Sequence, residues 1–277
     1  MSVGSAMLWT APPVLSLRRM LAMVARYVLL LKNSWTRIFE LVYWPTIQMV
    51  LWGFISAFLQ QNSSWVAQAA GVLIASVILW DVLFRGQLGV SISFMEEMWS
   101  RNLGHLFTSP LRPVELAMAL MTMSLIRTLI GTVPATLLAI PLYHYNIYTI
   151  GLPLIAFFVN LMIFGWAMGL ALSGIILRYG QSAESLAWLA IFLLAPVSAI
   201  YYPVSVLPWW LQMVAWALPS AYVFEGMRAV LFDHVVRLDY LVYAAALNVL
   251  YMILGVLAFL YAVLLARRRG LFIQMGE

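Results

Sequence analysis

Four long stretches without a charged side chain constrain this sequence more than any other feature. They cover residues 41–80, 128–177, 185–224 and 240–266. A helix needs roughly 20 apolar residues to cross a bilayer, so the longer stretches can each hold more than one membrane segment. Only 9% of the chain is charged and 65% is hydrophobic by type, whereas soluble domains are about a quarter charged. The sequence therefore predicts an all-α polytopic membrane protein.

Turn-forming residues divide these stretches into six expected transmembrane helices. They cover about 41–60, 66–85, 116–142, 149–176, 185–201 and 240–265. The spans are helical, because the strands of a membrane barrel would alternate in ~10-residue segments. The expected organisation is an amphipathic segment at 1–40, a six-span domain at 41–266 and a basic tail at 267–277.

The positions of lysine and arginine predict the orientation in the membrane. Of the 15 basic residues, twelve lie on the side that carries both termini and two on the other side, while Arg127 falls inside the third span. Cytoplasmic loops carry an excess of Lys and Arg, so both termini are expected in the cytoplasm. The chain has more basic than acidic residues. We attribute this excess to the membrane orientation of the chain and to its attraction for anionic lipids, and not to nucleic-acid binding.

The segment before the first span has its charges on one face. Six charged residues fall within about 140° of a helical wheel; they are Arg18, Arg19, Arg26, Lys32, Arg37 and Glu40. This pattern predicts a helix that lies in the membrane interface. The alternative is a cytoplasmic helix packed on protein.

The sequence contains no motif for catalysis or nucleotide binding. The histidines, His105, His144 and His234, lie in different predicted loops, and neither His-Glu-x-x-His nor Gly-x-Ser-x-Gly occurs. A P-loop needs a lysine after a glycine, but the sole lysine, Lys32, follows Leu31. The chain is therefore expected to have no catalytic or metal-binding residues and to bind no cofactor itself.

Ionisable residues inside spans are the default functional candidates in a membrane protein. Here they are Asp81, near the end of the second span, and Arg127, in the middle of the third. Because these spans are expected neighbours, we expect the two side chains to pair; a role in substrate or proton binding is the alternative. A row of small residues at Gly165, Gly169 and Ser173 predicts close helix packing.

The predicted cytoplasmic loop at 95–115 begins as an amphipathic helix. Apolar residues spaced for one face occur at Met95, Trp99, Leu103 and Leu106. Pro110 and Pro113 then end this helix and restart the chain into the third span. A short charged helix of this kind is suited to docking on another protein, and the alternative is a loop that lies on the bilayer.

The predicted external segment at 203–228 is too apolar for an aqueous loop. Pro203, Pro208 and Pro219 interrupt it too often for one straight span. These features predict a pair of short re-entrant helices, which membranes tolerate where the backbone is buried in protein or lines a cavity. The clustered Tyr and Trp residues fit an interfacial belt, with stacking on a substrate as the alternative.

With these motifs the chain resembles, over nearly its whole length, the membrane subunits of ATP-binding-cassette exporters of the type-2 class. In the cytoplasmic loop the resemblance lies in Glu96, Glu97, Arg101, Thr108-Ser109-Pro110-Leu111 and Glu115. In the external segment it lies in Tyr202-Pro203, Leu207-Pro208-Trp209-Trp210-Leu211, Leu218-Pro219 and Glu225-Gly226-Met227-Arg228. The sequence departs from the family pattern in having Thr-Ser-Pro for Thr-Pro and Leu218 for the usual Asn.

The resemblance implies an ATP-driven exporter in a bacterial-type inner membrane, moving a lipid, a glycan or polysaccharide, or a drug-like amphiphile. Two copies of the chain would form the path, and two separate ATPase subunits, which hold ATP and magnesium, would bind the 95–109 loop. The alternatives are an ion- or proton-coupled secondary transporter, which needs charged groups at the bilayer midplane, and a non-transporting scaffold.

The same resemblance assigns roles to individual residues. Those expected to couple the ATPase are Glu97, Arg101, Leu103, Phe107 and Pro110, with Leu103 and Phe107 as apolar anchors in the partner and Glu97 and Arg101 at the rim. Those expected along the path or in the re-entrant signature are Tyr202, Pro203, Pro208, Trp209, Trp210, Tyr222, Glu225 and Arg228.

Overall fold

A computed structural model describes residues 15–60 and 64–269, which form ten α-helices joined by turns. The helices are α1 Leu17–Lys32, α2 Trp35–Gln60, α3 Ser64–Trp99, α4 Leu103–Thr108, α5 Pro113–Tyr143, α6 Leu152–Tyr179, α7 Ser185–Leu194, α8 Trp209–Trp216, α9 Pro219–Phe232 and α10 Leu238–Arg268. Part of the predicted segment 1–40 and most of the predicted tail at 267–277 lie outside the described residues.

Five of these helices, α2, α3, α5, α6 and α10, are long and apolar enough to cross a membrane. The expected span at 185–201 is helical only from Ser185 to Leu194. Turns follow it past Pro196, and at Ala199, whose φ is 55°, the backbone leaves the right-handed helical region. Ten residues rise about 15 Å, which is half of a ~30 Å hydrocarbon core.

Contacts between the long helices give their directions. α6 and α10 run parallel, because Asn160 contacts Asn248 and Ala167 contacts Gly255. α3 is parallel to both, and α2 and α5 run the opposite way. We call the end of the bundle with α1 and α4 the α4 end, and the end with α8 and α9 the α8 end.

α3 is the central helix, with 72% of its span buried, whereas α2 is only 17% buried. Small residues let α3, α6 and α10 approach closely: a Cβ atom on Gly165 would lie 3.0 Å from the Cα of Gly86, and one on Gly255 would clash with the carbonyl of Ala167. The predicted close packing of the small-residue row on α6 is therefore confirmed.

Two predicted boundaries at the α4 end differ from the structure. α1 ends at Lys32 and α2 begins at Trp35, so the boundary predicted after residue 40 lies inside α2. α3 continues to Trp99, and a turn at 100–102 separates it from α4, so residues 95–106 do not form a single helix. Because α3 extends this far, Arg85 lies within the bundle and not in a loop.

Candidate functional site

Three carboxylates at the α4 end are held by arginines from other elements. The ion pairs are Arg19–Glu115 at 2.6 Å, Arg26–Glu97 at 2.8 Å, Arg37–Glu96 at 3.3 Å and Arg127–Glu96 at 2.8 Å. The arginines belong to α1, α2 and α5, while the carboxylates belong to α3 and α5. The network therefore ties α1 and the first turn of α2 to the two helices that flank α4.

Glu115 fixes the start of α5 to the start of α1. Its Oε1 accepts hydrogen bonds from the Ser16 N–H at 2.7 Å and from Arg19 at 2.6 Å, and its Oε2 accepts the Arg112 N–H at 3.0 Å. The Arg112 contact satisfies a free donor at the helix N-terminus. Hydrogen bonding to Glu115 raises the pKa of the Arg19 guanidinium, because the carboxylate favours the charged form.

Glu97 holds the turn between α3 and α4, and it is only 1% exposed. One carboxylate oxygen accepts a hydrogen bond from Arg26 at 2.8 Å, and the other accepts one from the Asn102 side chain at 2.7 Å. Burial, with the nearby charge of Glu97, raises the pKa of Tyr27 on α1. A buried carboxylate thus orients α4 relative to α3.

Two predictions for the ATPase-coupling residues are wrong. Leu103 is 1% exposed because it packs in the core of its own chain, so it is not an anchor for a partner. Glu97 is a buried internal contact and not a rim residue. Arg101 and Pro110 are exposed. The backbone of Phe107 belongs to α4, but its side chain lies outside the described part of the chain.

The exposed side chains that the structure describes on α4 and its adjoining turns are mostly polar. Its exposed residues, with those of the adjoining turns, include Arg101, His105, Thr108, Ser109 and Pro110. The opposite face is apolar and buried, through Leu103 and Leu106. α4 is therefore fixed from within and presents polar and cationic groups outward.

At the α8 end, Glu225 and Arg228 of α9 hold the turns between α7 and α8. Arg228, 7% exposed, donates to the Ala199 carbonyl at 2.6 Å and to the Ile200 carbonyl at 3.3 Å. Glu225 accepts the Val204 N–H at 2.6 Å and lies 3.2 Å from Arg228. The Glu-x-x-Arg motif therefore fixes the backbone of residues 199–204.

The turn held by Arg228 is strained. Ala199 has φ 55°, in the left-handed region, and is fully buried. A non-glycine residue there costs energy and persists where its surroundings enforce it. The hydroxyl of Tyr202 donates to the Pro196 carbonyl at 2.5 Å and closes the same turn.

The structure separates the predicted aromatic residues into two groups. Tyr222 is packed among other rings, with its ring centroid 4.9 Å from that of Trp216. Trp209 and Trp210 are exposed at the start of α8. Pro203 and Pro208 precede a short 3₁₀ turn and α8, respectively, so they act as breaks in the backbone. Among the expected path residues, the structure brings together Tyr202, Pro203, Glu225 and Arg228 around one turn, and places Trp209 and Trp210 on the surface.

The predicted pairing of Asp81 with Arg127 is wrong. Asp81 pairs with Arg85 at 2.7 Å, one helical turn along α3, and accepts a hydrogen bond from Thr132 at 3.3 Å. Arg127 instead reaches Glu96 at the α4 end. Arg37 binds the same carboxylate, so the charge of Arg127 is balanced within the network at the α4 end.

Several contacts of these networks were not predicted from the sequence. Arg85 stands four residues after Asp81, and that spacing was a visible signal for an ion pair on one helix face. Arg26 and Glu97 are 71 residues apart, and Arg228 contacts main-chain carbonyls 28 and 29 residues earlier. A single sequence gives no signal for those contacts.

Residues 19–232 match the family model described as the ABC-2 type transporter. The match runs from α1 to the end of α9 and includes both charged networks. No curated protein matches the chain.

Proposed function

The chain belongs to the ABC-2 type transporter family, and from this premise we propose that it is the membrane subunit of an ATP-driven exporter. It would move a lipid, a glycan or polysaccharide, or a drug-like amphiphile out across an inner membrane. The observation that carries the proposal is the setting of α4. This short helix packs inward through Leu103 and Leu106. It lies between α3 and α5, which arginine–carboxylate pairs join to each other and to α1 and α2. A force applied to α4 would be transmitted to every one of these elements.

The proposed partner at α4 is a cytoplasmic ATPase subunit, which would hold ATP and magnesium. Because Leu103 is committed to the chain's own core, the partner would contact Arg101, Pro110 and Phe107 instead. Arginine and aromatic residues are frequent among the few side chains that dominate binding energy at interfaces. Two ATPase subunits would serve two copies of the chain.

Six crossings of the membrane are supported by the helix directions. α6 and α10 are parallel, so the chain between them must return across the bundle. α7 and the turns after it make that return, partly without a helix. Such backbone is tolerated within a membrane where it is buried in protein. An even number of crossings puts both termini on one side, and the distribution of Lys and Arg favours the cytoplasm.

Single cysteines test this topology on a chain with no cysteine of its own. We expect Asn146→Cys and His234→Cys to react with a membrane-impermeant maleimide added outside intact cells. His105→Cys should react only after the membrane is opened, because α4 is proposed to face the cytoplasm. Labelling of His105→Cys in intact cells would reverse the orientation.

We propose that a second copy of the chain binds to the exposed face of α2. It is the least buried of the five long helices, and its exposed residues include Gln48 as well as apolar and aromatic side chains. The exposed residues in the middle of α10 are apolar, such as Val249, Ile253 and Leu257. The apolar face of α10 can contact lipid without loss of hydrogen bonds. The exposed Gln48 amide on α2 would lack hydrogen-bond partners in lipid, and a second protein chain can supply them.

Charge reversal in the turn before α4 tests the proposed function. Arg101→Glu should weaken co-purification of the ATPase subunit by about thirtyfold in affinity, as expected when an interface anchor is lost. Phe107→Ala should weaken it too, and both variants should insert normally because neither residue lies in a long helix.

Arg178→Glu is the matched control for this experiment, because Arg178 is also exposed at the α4 end but lies on α6. It should bind the ATPase normally. If Arg101→Glu and Phe107→Ala both keep full association and full substrate-stimulated ATP hydrolysis, α4 is not the docking site.

A further inference from the structure

An apolar cavity lies in the wedge between α5 and α6. Its floor is formed by Ile78, Leu79 and Val82 of α3, and the short turn Ile147–Ile150 closes it at the α8 end. Its volume is about 100 Å³. An apolar cavity of about 150 Å³ is large enough to bind benzene, so this one has room for a few methylene groups.

The lining of this cavity has no polar group available to a ligand. The hydroxyls of Thr136 and Tyr148 are hydrogen-bonded to each other at 2.7 Å. The hydroxyl of Thr132 is directed to Asp81, on the far side of the wall. The remaining lining is aliphatic or aromatic. A polar or charged molecule would therefore lose its hydrogen bonds on entry, and an alkyl group would lose none.

The cavity faces away from α7. The ring of Phe84 on α3 packs against Trp188 and Phe192 of α7. On a helical wheel, the direction of Phe84 differs by about 170° from the mean direction of the cavity residues Ile78, Leu79 and Val82. The rim is apolar, with the exposed Val133 on α5 and the half-buried Leu154 on α6. Because this rim lies between two membrane-crossing helices, the surrounding medium is the hydrocarbon of the bilayer.

We propose that this cavity binds one acyl chain of a membrane lipid from the leaflet at the α8 end. The chain would enter between α5 and α6 and end at Ile78 and Thr132. Its headgroup would lie beside the turn at 144–149, which contains no Lys or Arg. The site therefore selects the hydrocarbon chain and is indifferent to headgroup charge. This proposal needs only the membrane setting, so it does not depend on the coupling proposed at α4.

The test uses the purified full chain, delipidated in detergent and titrated with dioleoyl phosphatidylcholine or dioleoyl phosphatidylglycerol, with bound lipid counted by native mass spectrometry. We expect one tightly retained lipid per chain and equal retention of the two lipids. Val133→Phe should fill the cavity and lower retention by about tenfold, the loss expected when about two methylene groups are excluded.

Leu137→Phe is the matched control, because Leu137 is exposed one turn further along α5 and does not line the cavity. It should retain lipid as the parent chain does. The lipid should also raise the melting temperature of the parent chain and of Leu137→Phe, but not that of Val133→Phe. Equal retention by the two variants, or retention of phosphatidylglycerol alone, would overturn the proposal.

Discussion

Replacing Arg26 with methionine is expected to destabilise the folded protein by about 3–5 kcal/mol, because it leaves a buried carboxylate without its charged partner. The side chain of Glu97 is 2% exposed, so water cannot replace the lost guanidinium. Methionine keeps most of the length and apolar contact of arginine, so the change isolates the charge. Urea unfolding in detergent micelles, followed by circular dichroism, would measure the loss.

Glu97→Gln should cost less, about 1–2 kcal/mol, although it breaks the same pair. The Arg26 side chain is 38% exposed and can turn to water once its partner is neutral. The double variant Arg26→Met/Glu97→Gln should therefore be more stable than Arg26→Met alone, since no buried charge remains. A double variant that is less stable than Arg26→Met would show that the carboxylate is satisfied by some other group.

Replacing Arg228 with glutamine is expected to release the turns between α7 and α8 and to abolish transport. The change leaves the carbonyls of Ala199 and Ile200, on fully buried residues, without donors, and each such group costs about 1–3 kcal/mol. The strained backbone at Ala199 then loses the side chain that binds its carbonyl. Val204→Cys, buried in the parent, should become reactive to a maleimide added from the α8 end when Arg228→Gln is also present.

Arg237→Gln is the control for this prediction, because Arg237 lies at the same end and forms an exposed pair with Asp239. It should leave both the protection of Val204→Cys and transport unchanged. The assignment of the Glu225–Arg228 pair to function is contradicted if Glu225→Gln and Arg228→Gln both retain full transport.

The long helices and their close packing were predictable, because both depend on patterns that extend over many residues. The five long helices follow from charge-free runs, and their packing follows from small residues spaced four apart on α6. The short α7 was less predictable, because Pro196 is no stronger a signal than Pro45, Pro134 and Pro141, which lie inside α2 and α5. That signal was outweighed by the unbroken hydrophobicity of the surrounding residues, which does not distinguish a helix from buried turns.

The charged networks were less predictable, because a charge in a sequence does not specify its partner. Asp81 and Arg127 were predicted to form an ion pair because their spans are neighbours. An arginine side chain is long enough to reach a carboxylate at another level of the neighbouring helix, and Arg127 reaches Glu96. Glu97 was expected at a protein surface because charged residues are almost never fully buried unless they are paired. Its partner, Arg26, lies on a helix that the sequence placed in the membrane interface.

The length of α3 has a mechanical consequence. Its 36 residues extend about 54 Å, about 24 Å more than a bilayer's hydrocarbon core is thick. The helix is a stiff rod with the turn to α4 at one tip, and the contacts of Gly86, Gln87 and Val90 with the glycines of α6 form a pivot about 18 Å from that tip. A displacement of about 3 Å at the tip then corresponds to a rotation of about 10° around this pivot. The opposite tip, at the α8 end, lies about 34 Å beyond the pivot and must swing by about 6 Å in the other direction.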